Sequence, residues 1–137
     1  MKKLLTVFAA VITVLACCFV TACKDKEPLK ADENTVIITA SDSSFDFDNK
    51  TLKEYMDHLQ ERKMLTYTVK NGMVTTLNGK SNTTKSYWML YTSDSEHADQ
   101  AWGTFEHEGA IYGSATVGME ALTIKEGCLY IWAYQSF

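Results

Sequence analysis

Within the globular part of this chain, one stretch alone, residues 51–63, repeats its apolar residues at helical spacing; the remaining apolar runs are short, β-branched or aromatic. A lone helix must bury its apolar stripe against another layer, and here only strands are on offer. Leu52, Tyr55, Met56 and Leu59 fall at i, i+3, i+4 and i+7, while Lys53, Glu54, Asp57, Glu61 and Arg62 look outward. Thr51 with Glu54 three residues on has the spacing of a capping box, which satisfies backbone N–H groups at the helix start.

The flanking patterns read as strands. Thr35-Val36-Ile37-Ile38-Thr39 is β-branched and Phe45-Asp46-Phe47-Asp48 alternates, with Ser41-Asp42-Ser43-Ser44 between them, so the two predict a hairpin. Residues 65–69 and 73–77 flank Asn71-Gly72, a pair suited to the positive φ angles of a tight turn, and Asn78-Gly79 follows the second run. Residues 87–91, 110–112, 122–124 and 129–134 are further strand candidates, whereas 92–109 breaks every pattern and reads as a polar, acidic loop. Alternation places half of the aromatics inside, and Phe45, Phe47, Trp88, Tyr130 and Trp132 are expected in that half. The fold class is therefore α+β.

The amino terminus carries an address. Met1-Lys2-Lys3 is basic, residues 4–20 are almost wholly apolar, and Val20-Thr21-Ala22-Cys23 closes the segment with small residues and a cysteine. This is the pattern of a secretory signal with a lipid-attachment site, on an apolar run shorter than the ~20 residues a bilayer span requires. Cys17 lies in a similar context but is followed by Cys18-Phe19-Val20, still apolar; at Cys23 the chain turns charged at once, with Lys24-Asp25-Lys26-Glu27. The expected organisation is a signal peptide at 1–22, lipidated Cys23 and a charged tether at 23–34, and one domain at 35–137 on the extracytoplasmic face of the cell membrane. The tether contains the chain's one proline, Pro28, and its eleven residues 24–34 could extend up to ~40 Å.

Composition excludes several classes. The chain holds 13 basic and 17 acidic residues, a net charge of −4, and no basic stripe interleaved with aromatics, so nucleic acid is not an expected partner. Cys128 is the one cysteine of the domain proper and is expected to pack as a small hydrophobe. His58, His97 and His107 have no activated serine or cysteine beside them, and no glycine-rich phosphate loop is present, so the protein is expected not to be an enzyme.

The order of these features, namely an acidic Leu-bearing helix, an Asn-Gly hairpin, Tyr87-Trp88-Met89-Leu90-Tyr91, Gly118 ahead of Gly127 and a closing Tyr130-Ile131-Trp132, resembles the transcobalamin-like C-terminal domain family. The resemblance covers about residues 35–134. It implies a β-grasp-like fold, a mixed sheet of short strands and hairpins packed on the one helix. It also implies binding of a soluble ligand, with cobalamin as the named candidate, since in the animal carriers this domain covers one face of cobalamin while a separate helical domain holds the other. Two departures from the family pattern are Cys128, where an acidic residue is common, and residues 94–109, which look like an insertion.

That insertion holds the candidate site residues. Trp102, stranded among polar neighbours, is expected on a ligand-facing loop, with Tyr91 and Tyr112 joining it from the flanking strands to form aromatic walls. Asp94, Glu96, His97, Asp99, Glu106, His107 and Glu108 also gather oxygen and imidazole donors, and a hairpin fold-back would let His97, Asp99, Glu106 and His107 hold a divalent cation such as Zn²⁺. The expected partners are thus the lipid bilayer through the anchor and a soluble small ligand. The alternatives are a metal-binding protein and an interaction module docking on a transporter or another surface protein.

Overall fold

Thr51 starts the helix as its spacing predicts. Its hydroxyl accepts the Glu54 N–H at 3.3 Å and the Glu54 carboxylate accepts the Thr51 N–H at 2.8 Å, closing the capping box over α1 (Leu52–Glu61). Leu52, Tyr55, Met56 and Leu59 are all fully buried. They face a sheet, so the helix is held chiefly by its tertiary partner rather than by its own ten residues.

The computed structural model describes residues 27–137; the expected signal segment 1–22 and Cys23 lie outside the described residues. The strands are β1 (Leu29–Ala31), β2 (Thr35–Thr39), β3 (Tyr67–Lys70), β4 (Met73–Leu77), β5 (Lys80–Ser81), β6 (Ser86–Thr92), β7 (Ala98–His107), β8 (Ala110–Ala115) and β9 (Leu129–Ser136). They form a six-stranded sheet in the order β1-β2-β9-β6-β8-β7 and a three-stranded sheet β3-β4-β5. The α+β class holds. Every paired strand among the described residues is antiparallel, however, so the sheet is not the mixed one expected.

Turn chemistry explains much of that antiparallel order. Lys70 pairs with Met73, Leu77 with Lys80 and His107 with Ala110, so three hairpins close over two residues each. Their turn pairs, Asn71-Gly72, Asn78-Gly79 and Glu108-Gly109, all take positive φ at both positions, the geometry whose twist matches that of the strands.

Alternation sorts the six-stranded sheet into two faces. Val36 and Ile38 of β2, Trp88 and Leu90 of β6, and Tyr130 and Trp132 of β9 turn toward α1 and the small sheet, with Leu65, Leu77, Met119 and Leu122 completing that core. Ile131 and Ala133 of β9 turn the other way and pack with Ile37, Met89, Tyr91, Phe105 and Tyr112. Cys128 is half-buried against the main core, as expected of a small hydrophobe.

Four local expectations change. Leu29–Ala31 pairs with β2, so the folded region begins ahead of Thr35 and takes up part of the expected tether. Phe45 and Phe47 are not in a strand: both rings lie in irregular chain and meet Tyr55 at 4.9 and 5.0 Å between centroids, so their alternation serves a loop folded over the helix. The loop is latched by Asp42, which receives His58 Nε2 at 3.2 Å, the Ser44 hydroxyl at 2.7 Å and the Arg62 guanidinium. Residues 122–124 make one isolated bridge, Thr51 to Thr123, that fixes the helix start rather than a strand. The fourth change is the largest: most of the expected polar loop is strand β7, paired with β8 along the sheet edge. Gly113 makes that pairing possible, because a Cβ there would lie 3.0 Å from the Asp99 backbone.

Thr51→Ala removes the hydroxyl cap and is expected to lower stability by ~1 kcal/mol, read as a fall in the urea midpoint at unchanged m-value.

Candidate functional site

Four separate segments leave an apolar cleft on the helix-facing side of the large sheet. Gly72, Met73 and Val74 come from the β3–β4 hairpin, Trp88, Met89 and Leu90 from β6, residues 114–119 from the end of β8 and the chain after it, and Trp132 from β9. The cavity measures about 320 Å³. Its rim is unusually open for such large side chains: Met73 is 60% and Val117 37% exposed, while Trp88, Leu90, Met119 and Trp132 behind them are buried. The hairpin tip and the far wall are close, since a Cβ on Gly118 would lie 3.8 Å from the Gly72 carbonyl oxygen. Chemically the cleft offers apolar surface and two indoles, the lining that suits a compact organic ligand.

Comparison with known proteins finds no matching family model, no matching curated protein and no matching solved structure.

The aromatic residues expected at a ligand site are placed differently. Tyr91 is 3% exposed, its hydroxyl donates to Gln135 Oε1 at 2.6 Å, and burial pushes its phenol above the ordinary value. It is part of the smaller core, 5.6 Å from the Phe105 ring, rather than a ligand wall. Tyr112 packs in the same cluster, half-buried, and borders a more polar hollow of about 330 Å³ with Thr92, Ser95, Gln100 and Ile111. Trp102 is 64% exposed, as expected, but it rides on a bulge: Asp99 pairs with Ser114 and Thr104 with Gly113, leaving residues 100–103 unopposed. Neither Trp102 nor Tyr91 lines either cavity.

The four expected metal ligands do not converge. His97 lies opposite Thr116 and His107 opposite Ala110, so at ~3.4 Å per residue along β8 they stand about 20 Å apart. Asp99 Oδ1 accepts the Ala101 N–H at 2.8 Å within the bulge, Glu106 is exposed opposite Ile111, and His107 sits 3.6 Å from Glu108. A different grouping forms instead, with donor atoms of Asp94, Glu96 and His97 within 4.8 Å of one another. Lys125 already supplies its cation: the ammonium lies 3.3 Å from Asp94 Oδ1 and 2.7 Å from Glu96 Oε2.

Asp94 is best read as a tie. Its nearly inaccessible carboxylate accepts the Glu96 N–H at 3.1 Å and faces His97 Nδ1 at 2.8 Å as well as Lys125, joining the chain after β6 to the turn before β9. Burial works against its ionisation, but the bonds from His97, the Glu96 N–H and Lys125 outweigh it and hold the carboxyl below its ordinary 3.8. A folded-state value below the unfolded one contributes stability that is complete above the unfolded value and is lost as pH falls through the folded one. Wild type is thus expected to exceed Asp94→Asn in melting temperature by most above about pH 4. The gap narrows as pH drops further, a trend thermal melts at pH 7 and pH 3 will reveal.

Proposed function

We propose that this protein is a lipid-anchored, extracytoplasmic lipoprotein whose one domain binds a soluble organic ligand in the cleft between the β3–β4 hairpin and the large sheet. The observation carrying this reading is the open apolar rim of Met73 and Val117 over buried Trp88 and Trp132. Isolated exposed hydrophobes need no explanation, but two lining one apolar cavity mark a binding groove. In this reading the protein acts as a binder rather than an enzyme.

The transcobalamin-like resemblance names cobalamin as the candidate. The element order supports that reading: the helix follows the first long strand, the Asn-Gly hairpin follows the helix, and the aromatic strands β6 and β9 pair side by side. The β-grasp assignment belongs to the same proposal. A cavity of about 320 Å³ is too small to enclose cobalamin, so in this reading an edge of the corrin seats there and the remainder stays open to a second protein such as a transporter.

Two experiments test the proposal. Calorimetric titration with cobalamin should show binding that Val117→Lys weakens at least tenfold, because a ligand seating over the rim must desolvate the introduced ammonium. Trp102→Ser, on the distant bulge, should leave the titration unchanged; equal loss in both variants would move the site to β7. Cys23→Ser should release the protein from the membrane fraction and abolish labelling by a palmitate analogue, and retention of both would overturn the anchor.

A further inference from the structure

Buried aromatic side chains with polar atoms are otherwise well served in this protein. Trp88, in the cleft wall, donates its indole N–H to the Lys80 carbonyl at 2.8 Å; Tyr55 donates to the Thr39 carbonyl at 3.2 Å; the Tyr130 hydroxyl accepts the Lys125 N–H at 2.7 Å. Trp132 is the exception. Its ring lines the same cleft, it is 5% exposed, and among the described residues its Nε1 is the one buried side-chain nitrogen or oxygen without a hydrogen-bond partner. A donor desolvated without an acceptor is costly and uncommon in folded proteins, and it stands out most where its neighbour of the same type is satisfied.

Resting on the ligand-binding reading above, we infer that the cleft selects an apolar ligand carrying a hydrogen-bond acceptor, a carbonyl or amide oxygen, which takes the Trp132 indole N–H. The apolar body of the ligand replaces water against Val74, Leu90 and Val117, and the acceptor satisfies a donor that the protein leaves open. Selectivity follows from the same asymmetry: a site with an unpaired buried donor discriminates against analogues that bring no partner. Because Nε1 is buried, the acceptor reaches it through rearrangement of the wall. Met73 and Met119 line that wall, and methionine, unbranched and with several rotatable bonds, adapts to a guest more readily than a branched residue.

A matched pair of probes isolates the hydrogen bond. Acetophenone and α-methylstyrene have nearly the same shape, but the first presents a carbonyl oxygen where the second presents a methylene. The full chain in lipid nanodiscs, labelled with ¹⁵N at tryptophan, is titrated with each while the three indole resonances are followed. The Trp132 signal is expected to move downfield with acetophenone alone. Acetophenone should bind about tenfold more tightly, equivalent to ~1.4 kcal/mol, and Trp132→Phe should reduce that ratio to near one, whatever the smaller ring does to the affinity both probes share. Equal affinities in the wild-type protein, or a preference that survives Trp132→Phe, would overturn the inference and leave the cleft as a purely apolar site. Failure of both probes to perturb any cleft signal would overturn the inference that the cleft takes a compact apolar guest, whereas the ligand-binding reading stands or falls separately with the cobalamin titration. The wild-type indole shift decides the matter even if the variant folds poorly.

Discussion

Strand β9 is the element on which the other parts depend. It is hydrogen-bonded to β2 on one side and to β6 on the other, and among the described residues it alone joins the β1–β2 pair to the rest of the large sheet. Both of its faces are covered: Tyr130 and Trp132 reach the core beneath α1, Ile131 and Ala133 the smaller core on the reverse side, and all four are at most 5% exposed. A strand buried on two faces has no room for polar alternation, which is why its sequence reads as an almost unbroken aromatic and aliphatic run.

Where local chemistry and burial agree, the fold can be read from the residues. The capping pair Thr51 and Glu54 with the stripe through Leu59 located α1, and Asn71-Gly72 located the β3–β4 hairpin. Strand β7 was illegible for the opposite reason. As an edge strand interrupted by a four-residue bulge, it buries little on either face, so Asp99, Gln100, Thr104 and Glu106 are tolerated, and of the alternate half-buried positions 103, 105 and 107 only Phe105 is a hydrophobe. Phe45 and Phe47 misled because alternation is also what a loop shows when two rings fold down onto one tyrosine.

The cleft was harder to foresee than the fold. Its walls come from four stretches that are far apart in the chain and share no motif, and Trp88 and Trp132, read correctly as buried, gave no sign that they border a cavity. Trp102 and the histidines stand out in the sequence because their neighbours are polar. Polarity there reflects an edge strand in water, and the strand's extension keeps His97 and His107 apart. Met73 and Val117 carried the usable signal: a methionine directly after a tight turn and a valine beside Gly118 are apolar where a turn normally is not.

The pairing of Val36 with Trp132 joins two residues near opposite ends of the described chain. Until β9 arrives, β2 and β6 have no common neighbour and the large sheet lacks its middle. The hairpins can form quickly and locally, yet they remain separate pieces whose apolar faces are unsheltered. Closing the loop from β2 to β9 carries a large entropic cost before the burial of Tyr130 and Trp132 repays it. Folding of a chain with this topology is therefore expected to wait on one long-range encounter, the arrival of β9 between β2 and β6.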